Sequence, residues 1–207
     1  MPATSLPDVC VHLQQDQPSA WVRRFAPLIP RGRVLDLACG GGRHSRLLAG
    51  LGMDVLGVDR DPQALTATSG ERIRTLAFDL EQPGCESDPA FPLGAGRYTG
   101  IVVTNYLHRP LLPLLLSSLV DGGVLIYETF AQGNGQFGKP SSPAFLLAPG
   151  EWLQAVIDHP DRLRLRVLAY EDGYTEQPKP AMVQRICVRH DGAGQASPAD
   201  SLDLDKR

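Results

Sequence analysis

The stretch Val34–Arg60, VLDLACGGGRHSRLLAGLGMDVLGVDR, decides how the chain folds. It opens on a short apolar run, Val34-Leu35-Asp36-Leu37, and passes into a glycine cluster at Gly40, Gly41 and Gly42. A helical pattern follows, Ser45-Arg46-Leu47-Leu48-Ala49, closed by Gly50 and Gly52. A second apolar run, Met53–Val58, ends on Asp59. The order is strand, glycine turn, helix, strand, with an acid near the end of each strand. Glycine lacks a Cβ and tolerates positive φ, so such a corner lets backbone approach a ligand closely.

Two kinds of cofactor use a corner of this type. A dinucleotide fingerprint reads G-x-G-x-x-G/A, with the pyrophosphate at the helix N-terminus. Counted from Gly40, the third small position here is Ser45, a mild departure. Asp36, four residues before Gly40, opposes an anionic pyrophosphate more strongly and suits a cofactor with a cationic end. An acid closing the second strand is placed to accept from ribose hydroxyls. The segment Asp36-Leu37-Ala38-Cys39-Gly40-Gly41-Gly42 resembles motif I of the class I S-adenosylmethionine-dependent methyltransferases, acid-x-G-x-G-x-G after an apolar strand, with Ala38 in place of the first glycine. The wording DLACGGGRHS is similar to the small TehB-like branch of that superfamily.

Working outward, Ser19 is read as the cap of a short helix, 20–26, with Trp21 and Phe25 on one face. Its role is open between covering one edge of the sheet and forming a flap over the cofactor pocket. Asp61-Pro62 starts a helix over 62–68, because proline at the first turn lacks only an N–H that would be unpaired anyway. A third strand is expected over Arg74–Leu80, with Asp79 at its end, followed by a proline- and glycine-rich surface loop over 81–96. The continuous β-branched run Tyr98–Thr104 marks a strand buried on both faces. Helical leucines over 108–119, a strand over 124–130 and a helix from 149 to 158 come next. Strands over 163–169 and 182–189 flank an acidic, proline-rich hairpin at 171–180.

Repeated βαβ units require a parallel sheet with right-handed crossovers. The resemblance implies the rest of an α/β, Rossmann-like fold: a seven-stranded, mostly parallel sheet of order 3-2-1-4-5-7-6, its last strand antiparallel, with helices on both faces. The expected division is an N-terminal segment with a covering helix (1–30), a methyltransferase domain (31–190) and a disordered tail (191–207).

Composition bounds the function. The chain has 207 residues and a formal net charge of -3, which gives no basic footprint for nucleic acid. No apolar run approaches the roughly 20 residues that span a bilayer. Cys10, Cys39, Cys85 and Cys187 lack CxxC spacing, so reduced thiols in a cytoplasmic protein are expected. The five histidines show no metal-ligand spacing, and no metal is expected.

The resemblance also implies roles. The cofactor is S-adenosylmethionine. The Gly40–Gly42 loop, with Ala38, lies under its methionine part, and Asp36 orients the ammonium end. Asp59, with Arg60 beside it, takes the ribose hydroxyls; Asp79 and the Leu80 backbone take the adenine; the Asn105 backbone approaches the sulfonium. Catalytic candidates beyond the fourth strand are Tyr106, His108, read either as a base or as a helix cap or solvent-facing residue, and Arg109, read either as an anion contact or as part of a surface ion pair. Glu128 is a further candidate. Asn105-Tyr106-Leu107-His108 is not the (D/N/S)PP(Y/F) sequence of adenine amino methyltransferases. The Gly-, Pro- and Ser-rich segment 131–149 is long for a connection and is read either as a substrate lid carrying Phe137, Lys139 and Phe145 or as an ordered crossover packed on the sheet. The expected acceptor is a small molecule, with tellurite or another soft anion as one candidate. The alternative is a cofactor-binding protein with a regulatory or partner role and no turnover. The protein is expected to act as a monomer or homodimer.

Overall fold

The computed structural model describes residues 17–192. The expected tail beyond Gly192, the residues before Gln17 and Cys10 lie outside the described residues. Seven strands form one sheet: β1 (Arg33–Leu37), β2 (Asp54–Asp59), β3 (Ile73–Ala77), β4 (Tyr98–Thr104), β5 (Leu119–Phe130), β6 (Leu165–Thr175) and β7 (Ala181–His190). Their order is β3-β2-β1-β4-β5-β7-β6. β7 runs antiparallel to both neighbours, and the other pairs are parallel. The helices are α1 (Ala20–Phe25), α2 (Arg43–Gly50), α3 (Pro62–Thr66), α4 (Leu111–Ser117) and α5 (Glu151–Asp158).

Alternation along the strands sorts the core into two layers. Val34, Val55, Val102, Val124 and Ile126 meet α1 and α2 through Trp21, Phe25 and Leu48. Leu35, Leu37, Ile101, Val103 and Leu125 meet α4 and α5 through Leu115 and Trp152. A strand covered on both sides has no solvent face, which is why Tyr98–Thr104 reads as one apolar run and keeps its expected bounds.

Several boundaries differ from the sequence expectation, for physical reasons. β3 stops at Ala77, so Asp79 lies two residues past the strand, where its carboxylate accepts from the Glu81 N–H at 2.9 Å. α3 stops at Thr66, and Thr68 turns inward so that its hydroxyl donates to the Gly40 carbonyl at 2.9 Å. The loop over 81–96 is not simply a surface loop: Cys85, Phe91 and Leu93 are buried in the α4/α5 layer. β5 begins early, at Leu119, with Gly122 at φ 80 inside it and a register shift opposite Tyr98/Gly100. β6 runs on to Thr175, which shortens the hairpin connection to 176–180.

α1 covers a face of the central strands rather than an edge. Ser19 caps it, accepting from the Trp21 N–H at 3.1 Å. Trp21 packs edge-on against Phe25, ring centroids 4.5 Å apart, and its indole N–H reaches the Ile186 carbonyl. Trp21→Ala therefore empties a core position. A loss of about 3–5 kcal/mol is expected, or roughly 6–20 °C in thermal unfolding for a chain of this size. A shift below about 2 °C would mean that α1 is a loosely held flap.

Candidate functional site

In an open α/β sheet the carboxyl ends of the strands surround a crevice where the strand order reverses. Here β1 lies between β2 and β4, and a cavity of about 340 Å³ opens at those tips. Its lining includes Ala38 beyond β1, Asp59 and Arg60 at β2, Asp79 and Leu80 beyond β3, and Asn105 and Tyr106 beyond β4. Six of the residues assigned to the cofactor thus share one crevice: Ala38, Asp59, Arg60, Asp79, Leu80 and Asn105.

The turn after β1 is held open by its own hydrogen bonds. The Gly40 N–H donates to Asp59 Oδ2 at 2.8 Å, and the Asp61 N–H donates to Asp59 Oδ1 at 2.9 Å. Gly42, at φ 74, precedes α2, and a Cβ there would lie 2.5 Å from the Thr68 side chain. Ala38 has φ 54, a left-handed conformation that costs a non-glycine residue about 1–2 kcal/mol. That cost falls at the position where the resembling motif carries glycine, and Ala38 lines the crevice. Asn105 also has positive φ, 56, and its N–H donates to the Glu128 carbonyl at 2.9 Å.

Asp36, Gly40 and Gly42 lie behind this lining. Asp36 is 1% exposed, on the sheet face beneath α2, and accepts from the Ser45 hydroxyl at 2.6 Å. Burial pushes its carboxyl up to about 6, against the opposing pull of the Ser45 hydrogen bonds. His44, which the sequence reading passed over, is buried beside it. Its Nε2 accepts from the Ser19 N–H at 3.0 Å, so Nδ1 carries the proton and points to the Thr104 hydroxyl, 3.4 Å away. Burial, then the neighbouring Arg43, brings this imidazole down to about 3 and keeps it neutral.

The catalytic candidates separate. Tyr106 lines the crevice, and its buried hydroxyl makes no hydrogen bond among the described residues. Burial, then the nearby Glu81 carboxylate, raises its ionisation far above the usual tyrosine value. His108 is half-buried outside the lining, with its carbonyl accepting from Leu111 at the start of α4. Arg109 is committed elsewhere. Its guanidinium donates to both Glu151 carboxylate oxygens, at 2.6 and 3.0 Å, and to the carbonyls of Ala144 and Leu146, each at 2.8 Å. Glu128 is likewise taken up by an ion pair with Arg185, which also binds Glu171.

The segment after β5 is anchored rather than free. Leu147 is buried and bonded to the Phe130 carbonyl, and the buried Asn134 side chain ties the Pro140 carbonyl to the Met182 N–H. Phe145, 52% exposed, lines the crevice together with Pro140. Phe137 instead packs on Tyr174, ring centroids 5.2 Å apart, and Lys139 is exposed outside the lining. Sequence reasoning missed Phe78, Glu81, Leu107, Thr129, Phe130 and Pro140, which complete the wall. Thr129 and Phe130 could have been found as the last residues of a strand whose neighbours already supplied site residues.

Asp36 and His44 oppose each other in acid. A carboxyl whose folded value is raised makes the native state bind more protons between about 4 and 6, so its contribution to stability declines as pH rises through that window. A histidine whose folded value is depressed acts the other way, losing stability as pH falls below about 6.5. Asp36→Asn isolates the first effect. The variant should match the parent near pH 3.5 and exceed it by up to about 3 kcal/mol above pH 7. Urea unfolding at several pH values measures this; a difference that does not change with pH would contradict it.

A sequence profile of the methyltransferase domain matches residues 11–156. Trans-aconitate 2-methyltransferase of Variovorax paradoxus is 28% identical over 185 residues, 86% of this chain and 67% of that protein. Protein-L-isoaspartate O-methyltransferase 2 of Rhodopseudomonas palustris is 28% identical over 134 residues, 64% of this chain and 60% of that one. The chain therefore spans about two thirds of the length of these relatives. TehB from Haemophilus influenzae superposes with a TM-score of 0.61 at 21% identity, over 82% of this chain and 61% of that one, and shares the fold. Since the profile takes in more than half of the sequence, the chain belongs to the methyltransferase domain family.

Proposed function

We infer that the protein binds S-adenosylmethionine in the crevice and transfers its methyl group to a small-molecule acceptor. The observation that carries this reading is the convergence of Asp59, the Asp79–Leu80 pair and Asn105 on one cavity at the strand tips. The donor set fits the cofactor. Each carboxylate oxygen of Asp59 holds one backbone N–H and keeps a second acceptor position, which suits a pair of ribose hydroxyls. Asp79 keeps an oxygen that no described residue occupies, suited to an amino group. The curve of the turn at Gly40, where a Cβ would meet nothing within 4 Å, leaves room for backbone approach by the methionine part.

The cofactor would supply an activated methyl group on a sulfonium. This chain's residues have then to position an acceptor and exclude water, and orientation alone can provide much of the acceleration. Leu107, Phe130, Pro140 and Phe145 give the crevice an apolar wall for that purpose. Asp36 acts on the site from behind: bonded to Ser45 in the first turn of α2, it fixes the helix that follows the glycine turn. Arg109 acts through the loop, holding the backbone on either side of Phe145 in place.

S-adenosylmethionine or S-adenosylhomocysteine at about 100 times its dissociation constant should stabilise the protein by roughly 2.7 kcal/mol, or about 5–10 °C in thermal unfolding. A shift with NAD and none with either sulfur nucleotide would overturn the cofactor assignment. Asp59→Ala should weaken S-adenosylhomocysteine binding by roughly 1.5–3 kcal/mol in isothermal titration. The same change also frees the Gly40 and Asp61 N–H groups, so a parallel stability loss of about 1–2 kcal/mol is expected. Unchanged affinity in the folded variant would contradict the ribose role.

A further inference from the structure

Two tyrosines meet beyond the tip of β4, and one of them ends on an idle hydroxyl. Asn105, at φ 56, turns the chain out of the strand, and its N–H is held by the Glu128 carbonyl. The next carbonyl, that of Tyr106, accepts from the Tyr127 hydroxyl of the adjacent strand β5. Tyr127 is itself fixed, 1% exposed and packed edge-on against Trp152 with ring centroids 4.6 Å apart. The Tyr106 backbone is thus pinned on both sides, and its ring packs against the α4/α5 layer.

The charges that act on the Tyr106 hydroxyl are those of Glu81, Asp79 and Arg60. All three line the crevice beyond β2 and β3, two and three strands away from β4. The phenol therefore leaves the β4 tip toward the side of the crevice assigned to the nucleoside. Its oxygen is buried and makes no hydrogen bond among the described residues, and the two other such atoms, Trp152 Nε1 and His190 Nδ1, lie outside the lining. A buried hydroxyl without a partner lowers stability and calls for an explanation. Glu81 and Asp79 are exposed, so the groups that face it can move as a ligand enters. Burial and the Glu81 carboxylate keep the phenol protonated. A general base would have to be the phenolate, which the same surroundings oppose. A neutral hydroxyl both donates and accepts, whereas the carboxylates beside it only accept. Adenosine offers amino and hydroxyl donors, which suit the carboxylates, and ring nitrogens, which need a donor. Phe78 and Leu80 line the same side and give a flat ring apolar contact.

We propose that Tyr106 is a nucleoside-binding residue, whose hydroxyl donates to the adenosine part of the cofactor and gains there the partner that no described residue gives it. The assignment rests on the methyltransferase reading above. It moves Tyr106 away from the proton-transfer role beside the acceptor that its place after the fourth strand suggests. Asp79 takes the amino group and Tyr106 a ring nitrogen, so the base is held from two sides of the crevice. Tyr127 is a positioning residue, acting only through the Tyr106 carbonyl.

The test compares the full chain with its Tyr106→Phe variant, which loses only the hydroxyl oxygen, by isothermal titration with two probes. S-adenosylhomocysteine carries nucleoside and amino acid; methylthioadenosine keeps the nucleoside and the sulfur and lacks the amino-acid part. Both should bind the variant at least about threefold more weakly, by factors that agree within about twofold. Without ligand, the variant should unfold within about 4 °C of the parent or above it, because the hydroxyl has no bond to lose. Four results would overturn the proposal: a loss of S-adenosylhomocysteine affinity below about threefold; loss factors for the two probes that differ by more than about twofold; no methylthioadenosine binding to the parent up to about 1 mM; or a fall of more than about 4 °C in the unfolding of the variant alone. Failure of S-adenosylhomocysteine to bind the parent would instead overturn the functional reading itself.

Discussion

The carboxylate of Asp59 holds the site together. Its two oxygens accept from Gly40 and from Asp61, which locks the turn after β1 to the tip of β2. Parallel pairing brings both strands out at the same edge of the sheet, but it does not dictate where the chain goes next. That is decided by the Asp59 bonds, by the Thr68 hydroxyl on the Gly40 carbonyl, and by a Gly42 with no side chain to collide with Thr68. The crevice is what remains when the turn is drawn toward β2 and the chain beyond β4 leaves in the opposite direction. A carboxylate that shapes the turn can also hold a ligand, because each oxygen has more than one lone pair.

Beneath this turn lies a polar layer in a setting that should be apolar. Asp36 and His44 are both buried, and each is pushed toward its neutral form, the acid upward and the imidazole downward. Both remain hydrogen-bonded, which limits the cost of burying them. His44 extends the layer to Ser19 and so ties the capping residue of α1 to the end of β4. The covering helix and the crevice are therefore mechanically connected through one neutral ring, although α1 contributes nothing to the lining.

Much of this was legible in the sequence where local pattern and tertiary role coincide. Tyr98–Thr104 reads as a buried strand because both faces are covered, and the acids at Asp59 and Asp79 follow apolar runs that end at the same sheet edge. Partners distant in sequence were not legible. Nothing local shows that Glu151, forty-two residues on, captures Arg109, or that Arg185 claims Glu128 from a neighbouring strand. Phe137 and Phe145 look alike in a glycine- and proline-rich segment, yet the anchoring at Asn134 and Leu147 turns one onto Tyr174 and the other onto the crevice. Thr129 was hidden because a threonine near the end of an apolar strand carries no signal until the strand's neighbours show which way it faces.

The most direct measurement is a crystal structure of the protein with S-adenosylhomocysteine. The ribose hydroxyls should lie within hydrogen-bond reach of Asp59, the adenine beside Asp79 and Leu80, and the sulfur toward Asn105. Density for the ligand anywhere else, or a ribose turned away from Asp59 at saturating concentration, would contradict the assignment of the crevice.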